Sequence, residues 1–126
     1  MKEIRGKLLK RHPDLKVLLK LGSRGAAVVS RDEFVEGPVT TASNPQVLKD
    51  YNIIDTVGAG DCFTASYVVR HSELDWSNKE HWSDNYRQAM RFGNSAAFLC
   101  ITRNGAMPAM PSRQEVDNFI QHYHPQ

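Results

Sequence analysis

The spacing of apolar and polar positions along the 126 residues switches between a helical and a strand period several times. Over residues 3–11, Ile4, Leu8 and Leu9 fall on one side of a helix among basic residues. His12-Pro13-Asp14 ends it, because proline disfavours helical geometry in the residue before it. Residues 15–21 (LKVLLKL) form an apolar run of strand length, Gly22-Ser23-Arg24-Gly25 reads as a turn, and residues 26–30 as a second strand. Strand, glycine turn and strand predict a hairpin. A short strand is expected within 34–40 around Val35 and Val39, followed by a surface excursion over 41–51 that contains Asn44-Pro45.

Residues 51–55 read as another strand, leading through 56–61 into a helix that runs to about His71, with Phe63, Tyr67 and Val68 at compatible spacings. The polar stretch 72–83, with its two tryptophans, reads as a loop. The longest helical pattern covers 85–102, where Met90, Ala97, Phe98 and Ile101 give an apolar face and Gly93 costs helix propensity. Arg103-Asn104-Gly105-Ala106 is a stop signal. Ser112 followed by Glu115 is a capping box for a last helix reaching about Tyr123. There is no internal repeat, and helices interleaved with short strands predict an α/β architecture.

Composition narrows the function classes. The chain is 40% hydrophobic and 24% charged, and its length suits one domain of roughly 100–200 residues with a modest core. A formal net charge of +2, with Lys and Arg spread along the chain, gives no basic stripe for nucleic acid. The mild cluster in the first twenty residues reads as a solvated helix face. Cys62 and Cys100 form neither a disulfide framework nor a metal pair, which predicts a reducing, cytoplasmic setting. No apolar run approaches the ~20 residues of a membrane span, and the first five residues lack a signal core.

Candidate chemistry concentrates in residues 55–61, DTVGAGD, between a predicted strand and a predicted helix. Gly58 and Gly60 permit backbone angles and close approaches that side chains prevent. The amides of Gly58, Ala59 and Gly60 are donors at a helix start, where the dipole adds roughly half a positive charge. That is an anion site suited to a phosphoryl group. Asp61, in the first turn, can take a proton from an attacking hydroxyl. No Lys-Ser or Lys-Thr follows the glycines, so the loop is not a Walker A loop. The glycines alone leave open a plain strand-to-helix turn with Asp61 as a dipole partner.

DTVGAGDCF resembles the second signature of the ribokinase/PfkB carbohydrate kinases, DTxGAGD followed by a small or apolar residue and Phe. LGSRGA at 21–26 resembles the family's nucleotide-binding hairpin, and RFGNSAA through TRNGA at 91–106 resembles its closing helix and turn. Together these cover nearly the whole chain. The resemblance implies a partial ribokinase-like fold, the carboxy-terminal part of a three-layer α/β/α sandwich. It implies Asp61 as the base, Gly58, Ala59 and Gly60 as the anion hole, Gly22, Ser23 and Gly25 along the nucleotide, and Asn94 at the adenine end. A monovalent cation, K⁺ in ribokinases, would lie by Asp55, Val57, Cys100, Arg103 and Gly105. The implied ligands are ATP, Mg²⁺ arriving with it, and a sugar, with a homodimer possible in a full-length protein.

The sequence departs from the pattern at Lys20, where the family usually has Thr, at Ser66, where it has Ala or Gly, and at Ala109, where ribokinases place a hydroxyl. Family members are also over twice as long, and their sugar-binding half, Gly-Gly signature and lid have no counterpart here. The chain is therefore expected to be a fragment that does not act on sugar alone, since the groups that position the acceptor are missing. Ribose is the first expectation for the acceptor, with 2-keto-3-deoxygluconate, fructose or a nucleoside as alternatives. A non-catalytic nucleotide-binding or interaction module and a plain structural domain are the competing classes. Cys62 is expected to be buried and inert, Trp76 and Trp82 to pack on the adjacent helix, and His71, His81, His122 and His124 to be surface residues.

Overall fold

A computed structural model describes residues 4–38, 41, 44–103 and 110–123. The chain begins with a widely wound, π-type helical stretch, Ile4–Leu9, in which Leu9 is buried but Leu8 faces solvent. Three antiparallel strands follow, β1 (Val17–Lys20), β2 (Ala26–Val29) and β3 (Phe34–Glu36), in the order β1-β2-β3 among the described residues. Val17 pairs with Val29 and Lys20 with Ala26 across the hairpin, and Val28 pairs with Val35 on the other side. β2 is central, so all four of its small apolar residues are buried. The outer edge of β1 has no strand partner among the described residues.

Four α-helices complete the described structure, α1 (Pro45–Asp50), α2 (Ala59–Glu73), α3 (Trp82–Ile101) and α4 (Arg113–Tyr123). The expected surface excursion over 41–51 thus contains a helix. Asn44 caps α1 by accepting from the Gln46 amide at 3.0 Å, Pro45 takes the first helical position, and Val47 is buried. The strand expected over 51–55 does not form. The Ile54 and Asp55 amides instead both donate to the Ile101 carbonyl, at 2.8 and 3.1 Å, so this extended segment satisfies its donors on the end of a helix. Ile53 and Ile54 are 49% and 57% exposed, with no sheet face to receive them.

The expected loop over 72–83 is shorter than its polarity suggests. Asn78 caps a 3₁₀ turn, Lys79–His81, that feeds directly into α3 three residues earlier than the apolar pattern indicates. The indole nitrogens of Trp76 and Trp82 donate to the carbonyls of His71 and Trp76, at 2.8 and 2.9 Å, which pins the loop to the end of α2. Asn85, buried in the first turns of α3, donates to the Asp75 carbonyl at 2.7 Å. The capping box of α4 forms as the sequence predicts. The Glu115 amide donates to Ser112 Oγ at 3.2 Å, and the Ser112 amide donates to Glu115 Oε1 at 3.1 Å.

Helix α3 joins two apolar clusters. Toward the sheet, Tyr86, Ala89 and Met90 meet Val28, Val35, Phe63 and Tyr67. Toward its carboxy-terminal end, Phe92, Phe98 and Leu99 meet Val47, Val116 and Phe119. Burial of each Val, Leu, Met or Phe among them contributes roughly 1.5–3 kcal/mol. Gly93 lies where α2 crosses α3. A Cβ there would stand 2.9 Å and 3.0 Å from the Phe63 ring and 3.1 Å from the Phe63 carbonyl oxygen. The propensity cost of this glycine is what permits the two helices to touch. Gly93→Val is therefore expected to lower stability by about 1–3 kcal/mol in urea unfolding, as overpacking typically does. An unchanged midpoint would show that the helices can separate freely at this point.

Candidate active site

Residues 55–61 make the turn into α2. Asp55 Oδ1 accepts the Val57 amide at 3.0 Å, an Asx turn that starts the reversal. The Ala59 amide reaches back to the Thr56 carbonyl at 3.4 Å. Gly58 is the N-cap residue of α2 with φ +83°, a left-handed conformation that a side chain would strain. Its carbonyl accepts the Cys62 amide at 2.9 Å and closes the first helical bond. The Gly60 and Asp61 amides belong to the helix start, where no intrahelical acceptor exists, and neither has an acceptor among the described residues. Asp61 is exposed beside them.

The hairpin and the glycine turn are tied to each other. Lys20, the last residue of β1, extends its ammonium to the Gly60 carbonyl at 3.1 Å. After Leu21 comes the four-residue turn 22–25, with Gly22 at φ +60°, Ser23 in the 3₁₀ segment Gly22–Arg24, and Gly25 at φ +89°. The Leu21 amide closes this turn onto the Gly25 carbonyl at 2.8 Å. Gly22, Ser23 and Gly25 thus lie two to five residues after one anchored at the start of α2. This link is legible in the strand period once sought, because Lys20 shares a face of β1 with Leu18, which packs against the cluster containing Phe63 and Tyr67.

Asn94 is placed differently. It is buried within α3, and its Nδ2 donates to the Pro38 carbonyl at 3.2 Å, so it fastens the helix to the chain leaving β3. No described contact joins it to residues 58–61.

The residues singled out for a monovalent cation converge in part. The two bonds to the Ile101 carbonyl draw Asp55 and the turn at Val57 to the carboxy-terminal end of α3. The Cys100 carbonyl lies at the same end and accepts the Arg103 amide at 3.2 Å. One carboxylate and several carbonyl oxygens at the negative end of a helix dipole are a donor set that fits a hard cation. The Arg103 side chain turns away to pair with Glu115, whose carboxyl its guanidinium holds below the usual range. Gly105 and Ala109 lie outside the described residues, as do Asn104 and Ala106 of the predicted stop.

The remaining candidates are structural. Ser66 sits one turn beyond Cys62, with its Oγ 4.0 Å from the Cys62 sulfur. Trp76 and Trp82 pack as expected, and Lys16 lays its ammonium 4.1 Å from the Trp82 ring centroid. His71 is not an ordinary surface residue. It is half-buried, its ring stacks on Trp76 at 4.2 Å, and burial together with the charge of Lys16 lowers its pKa. The sequence hides this because His71 lies on the turn of α2 that receives the tryptophan loop. His81 and His122 are exposed, and His124 lies outside the described residues. Among the described residues no three His, Cys, Asp or Glu are grouped to hold a metal ion, and no helix is long and apolar enough to cross a membrane.

Burial pushes the Cys62 thiol up to about 11, despite its position in the first turn of a helix. At pH 8 it is therefore held as the thiol, and its reaction with Ellman's reagent is expected to be slow in the native chain and fast in denaturant. Rapid native labelling of Cys62 would show a stabilised thiolate and an open helix start.

The family model for pfkB family carbohydrate kinases matches residues 2–113. A ribokinase of Arabidopsis thaliana is 37% identical over 102 residues, covering 79% of this chain and 22% of its own length. Fructokinase-2 of Oryza sativa subsp. japonica is 38% identical over 61 residues, 48% of this chain and 18% of the relative. Among solved structures, a ribokinase from Giardia lamblia superposes with a TM-score of 0.77 at 32% identity, over 98% of this chain and 37% of that one. Arabidopsis thaliana ribokinase complexed with ribose and ATP superposes with a TM-score of 0.64 at 29% identity, over 84% of this chain and 29% of that one. The chain spans 22% and 18% of the lengths of these two sequence relatives. With its hairpin, its glycine turn and its long closing helix in the arrangement these kinases share, the chain belongs to the pfkB family of carbohydrate kinases.

Proposed function

We propose that this chain is the ATP-binding and catalytic portion of a kinase that transfers the γ-phosphoryl group of ATP to a sugar hydroxyl. The observation that carries the reading is the start of α2, where the exposed Asp61 carboxylate stands beside the amides of Gly60 and Asp61, which have no acceptor among the described residues. In this reading Asp61 accepts the proton of the sugar hydroxyl, whose oxygen attacks the γ-phosphorus as the bond to ADP breaks. Gly58 and Gly60 offer their amides to the charge that develops on the phosphoryl oxygens, and the Ala59 amide joins them by leaving the Thr56 carbonyl, 3.4 Å away. Mg²⁺ accompanies ATP and neutralises its phosphates. K⁺ would be held by the oxygens around Asp55, Val57 and Cys100, and its charge would add to the field at the same turn.

Ribose is the first candidate acceptor and fructose the second, since the relatives include both ribokinases and fructokinases. The sugar-binding portion is proposed to be a further part of a longer kinase. The outer edge of β1, without a strand partner among the described residues, and the exposure of Ile53, Ile54 and Val57, 61% for the last, support a surface that such a portion covers. Two free, buried thiols, Cys62 and Cys100, fit a reducing compartment such as the cytoplasm.

Calorimetric titration of the 126-residue chain with Mg-ATP in K⁺ buffer is expected to give saturable binding that Gly60→Val abolishes. No binding by a chain whose circular dichroism shows it folded would overturn the nucleotide reading. Sugar phosphorylation is expected only when the acceptor-binding portion is present. In a full-length kinase carrying this chain, Asp61→Asn is expected to cut turnover by roughly 10²–10⁴-fold with ATP affinity unchanged. Turnover preserved in that variant would refute Asp61 as the base.

A further inference from the structure

We propose that His71 and the tryptophan loop between α2 and α3 form an acid-sensitive latch, in which a proton taken up by the His71 ring releases the loop from the end of α2. The device lies at the far end of α2 from the glycine turn and does not depend on the nucleotide reading.

The latch is built from one ring stack and two indole bonds. His71 lies in the last turn of α2, and its ring stacks on Trp76 at 4.2 Å with an interplanar angle of 26°. Trp76 donates to the His71 carbonyl at 2.8 Å, and Trp82, the first residue of α3, donates to the Trp76 carbonyl at 2.9 Å. The buried Tyr86 ring closes the cluster 5.0 Å from Trp76. Lys16, just before β1, sets its ammonium 4.1 Å from the Trp82 ring centroid, and 5.5 and 5.7 Å from those of Tyr86 and Trp76. One cation therefore already occupies the negative faces of these rings.

A second cation fits poorly beside it. An imidazolium at residue 71 would gain a cation–π contact with Trp76, but it would share that indole with the Lys16 charge. Both its nitrogens would be donors, and neither has an acceptor among the described residues. The acids nearest in sequence are engaged elsewhere. Glu73 pairs with Arg70 and Arg113, and Asp75 accepts the Ser77 amide at 2.9 Å. Lys79 of the loop lies 5.6 Å from the Trp82 centroid and adds positive charge. Tyr67 of α2 and Tyr86 of α3 face the imidazole at 5.7 and 6.4 Å, and burial pushes the Tyr67 phenol up to about 12, so it supplies no counter-charge in acid.

Burial first, and the Lys16 charge second, accordingly lower the pKa of His71. The unfolded ring takes its proton near about 6.5. Since the native ring binds it less readily, the latch is intact above that value and weakens as pH falls through it.

Tryptophan emission and proton NMR titration of the histidine rings test the latch in the 126-residue chain between about pH 8 and about pH 5. Wild type is compared with His71→Phe, which keeps a stacked ring without a titrating nitrogen, and with Lys16→Met, which removes the neighbouring charge. In wild type the emission is expected to shift to the red below about pH 6.5 as the indoles meet water. His71 should titrate below the exposed His81 and His122, and Lys16→Met should bring it up toward them. His71→Phe should show no red shift and lose less of its thermal midpoint over the same range. A red shift of equal size in His71→Phe would overturn the proposal, as would His71 titrating together with His81 and His122. Wild-type emission that stays constant while His71 titrates would overturn it as well, and that measurement stands even if the phenylalanine variant does not fold.

Discussion

Phe63 and its carbonyl stand where a side chain at residue 93 would begin, and this close approach of α2 to α3 governs the position of everything that follows. α2 carries DTVGAGD at its start, so the depth at which it seats on α3 fixes where its unpaired amides point. α3 in turn holds the sheet through Tyr86, Ala89 and Met90, and α4 through Phe98 and Leu99. One glycine, unfavourable in an isolated helix by about 1 kcal/mol, thereby sets the relation between the glycine turn at 55–61 and both halves of the core. The anchoring of Trp76 and Trp82 at the far end of α2 stops the helix from sliding along its partner.

The same packing brings two helix ends of opposite sign together. The start of α2 presents amides without an acceptor among the described residues, and the end of α3 presents carbonyls. The Ile54 and Asp55 amides bonded to Ile101 join the two across a single segment. An anion is favoured at one end and a cation at the other, each by roughly 0.3–1 kcal/mol where exposed and more where partly buried. Asp55 belongs to both, since its Oδ1 shapes the turn into α2 while its backbone holds the end of α3. A phosphate and a monovalent cation are thus compatible occupants of adjacent ends, while among the described residues no His, Cys, Asp or Glu side chains are grouped to hold a metal ion.

Most of the architecture is legible in local sequence. The hairpin follows from two apolar runs about a glycine turn, α2 from the spacing of Phe63 and Tyr67, and α4 from the reciprocal bonds of Ser112 and Glu115. What local sequence misses depends on distant partners. The run at 51–55 has strand composition, but its amides find a helix end instead of a neighbouring strand. The polar segment 72–83 looks like a loop, yet Trp76 donates to the His71 carbonyl in α2, Trp82 and Asn85 donate to carbonyls within the segment, and α3 starts early. His71 reads as a surface histidine in sequence, but Trp76 stacks on its ring and the Lys16 charge stands near it. The chemistry-bearing turn was readable because its glycines and its Asp lie within seven residues. Asn94 and Lys20 were less so, since Pro38 and Gly60, which engage them, are 56 and 40 positions away.

The central claim is that the start of α2 receives the phosphates of ATP, and backbone amide NMR reports on it directly. In a ¹⁵N-labelled chain titrated with Mg-ATP, the amide resonances of Gly58, Ala59, Gly60 and Asp61 should shift most, together with those of Gly22 to Gly25. Hydrogen exchange at Gly60 and Asp61 should slow as their donors acquire a partner. Shifts confined to other surfaces, with these amides unmoved at saturating nucleotide, would contradict the account.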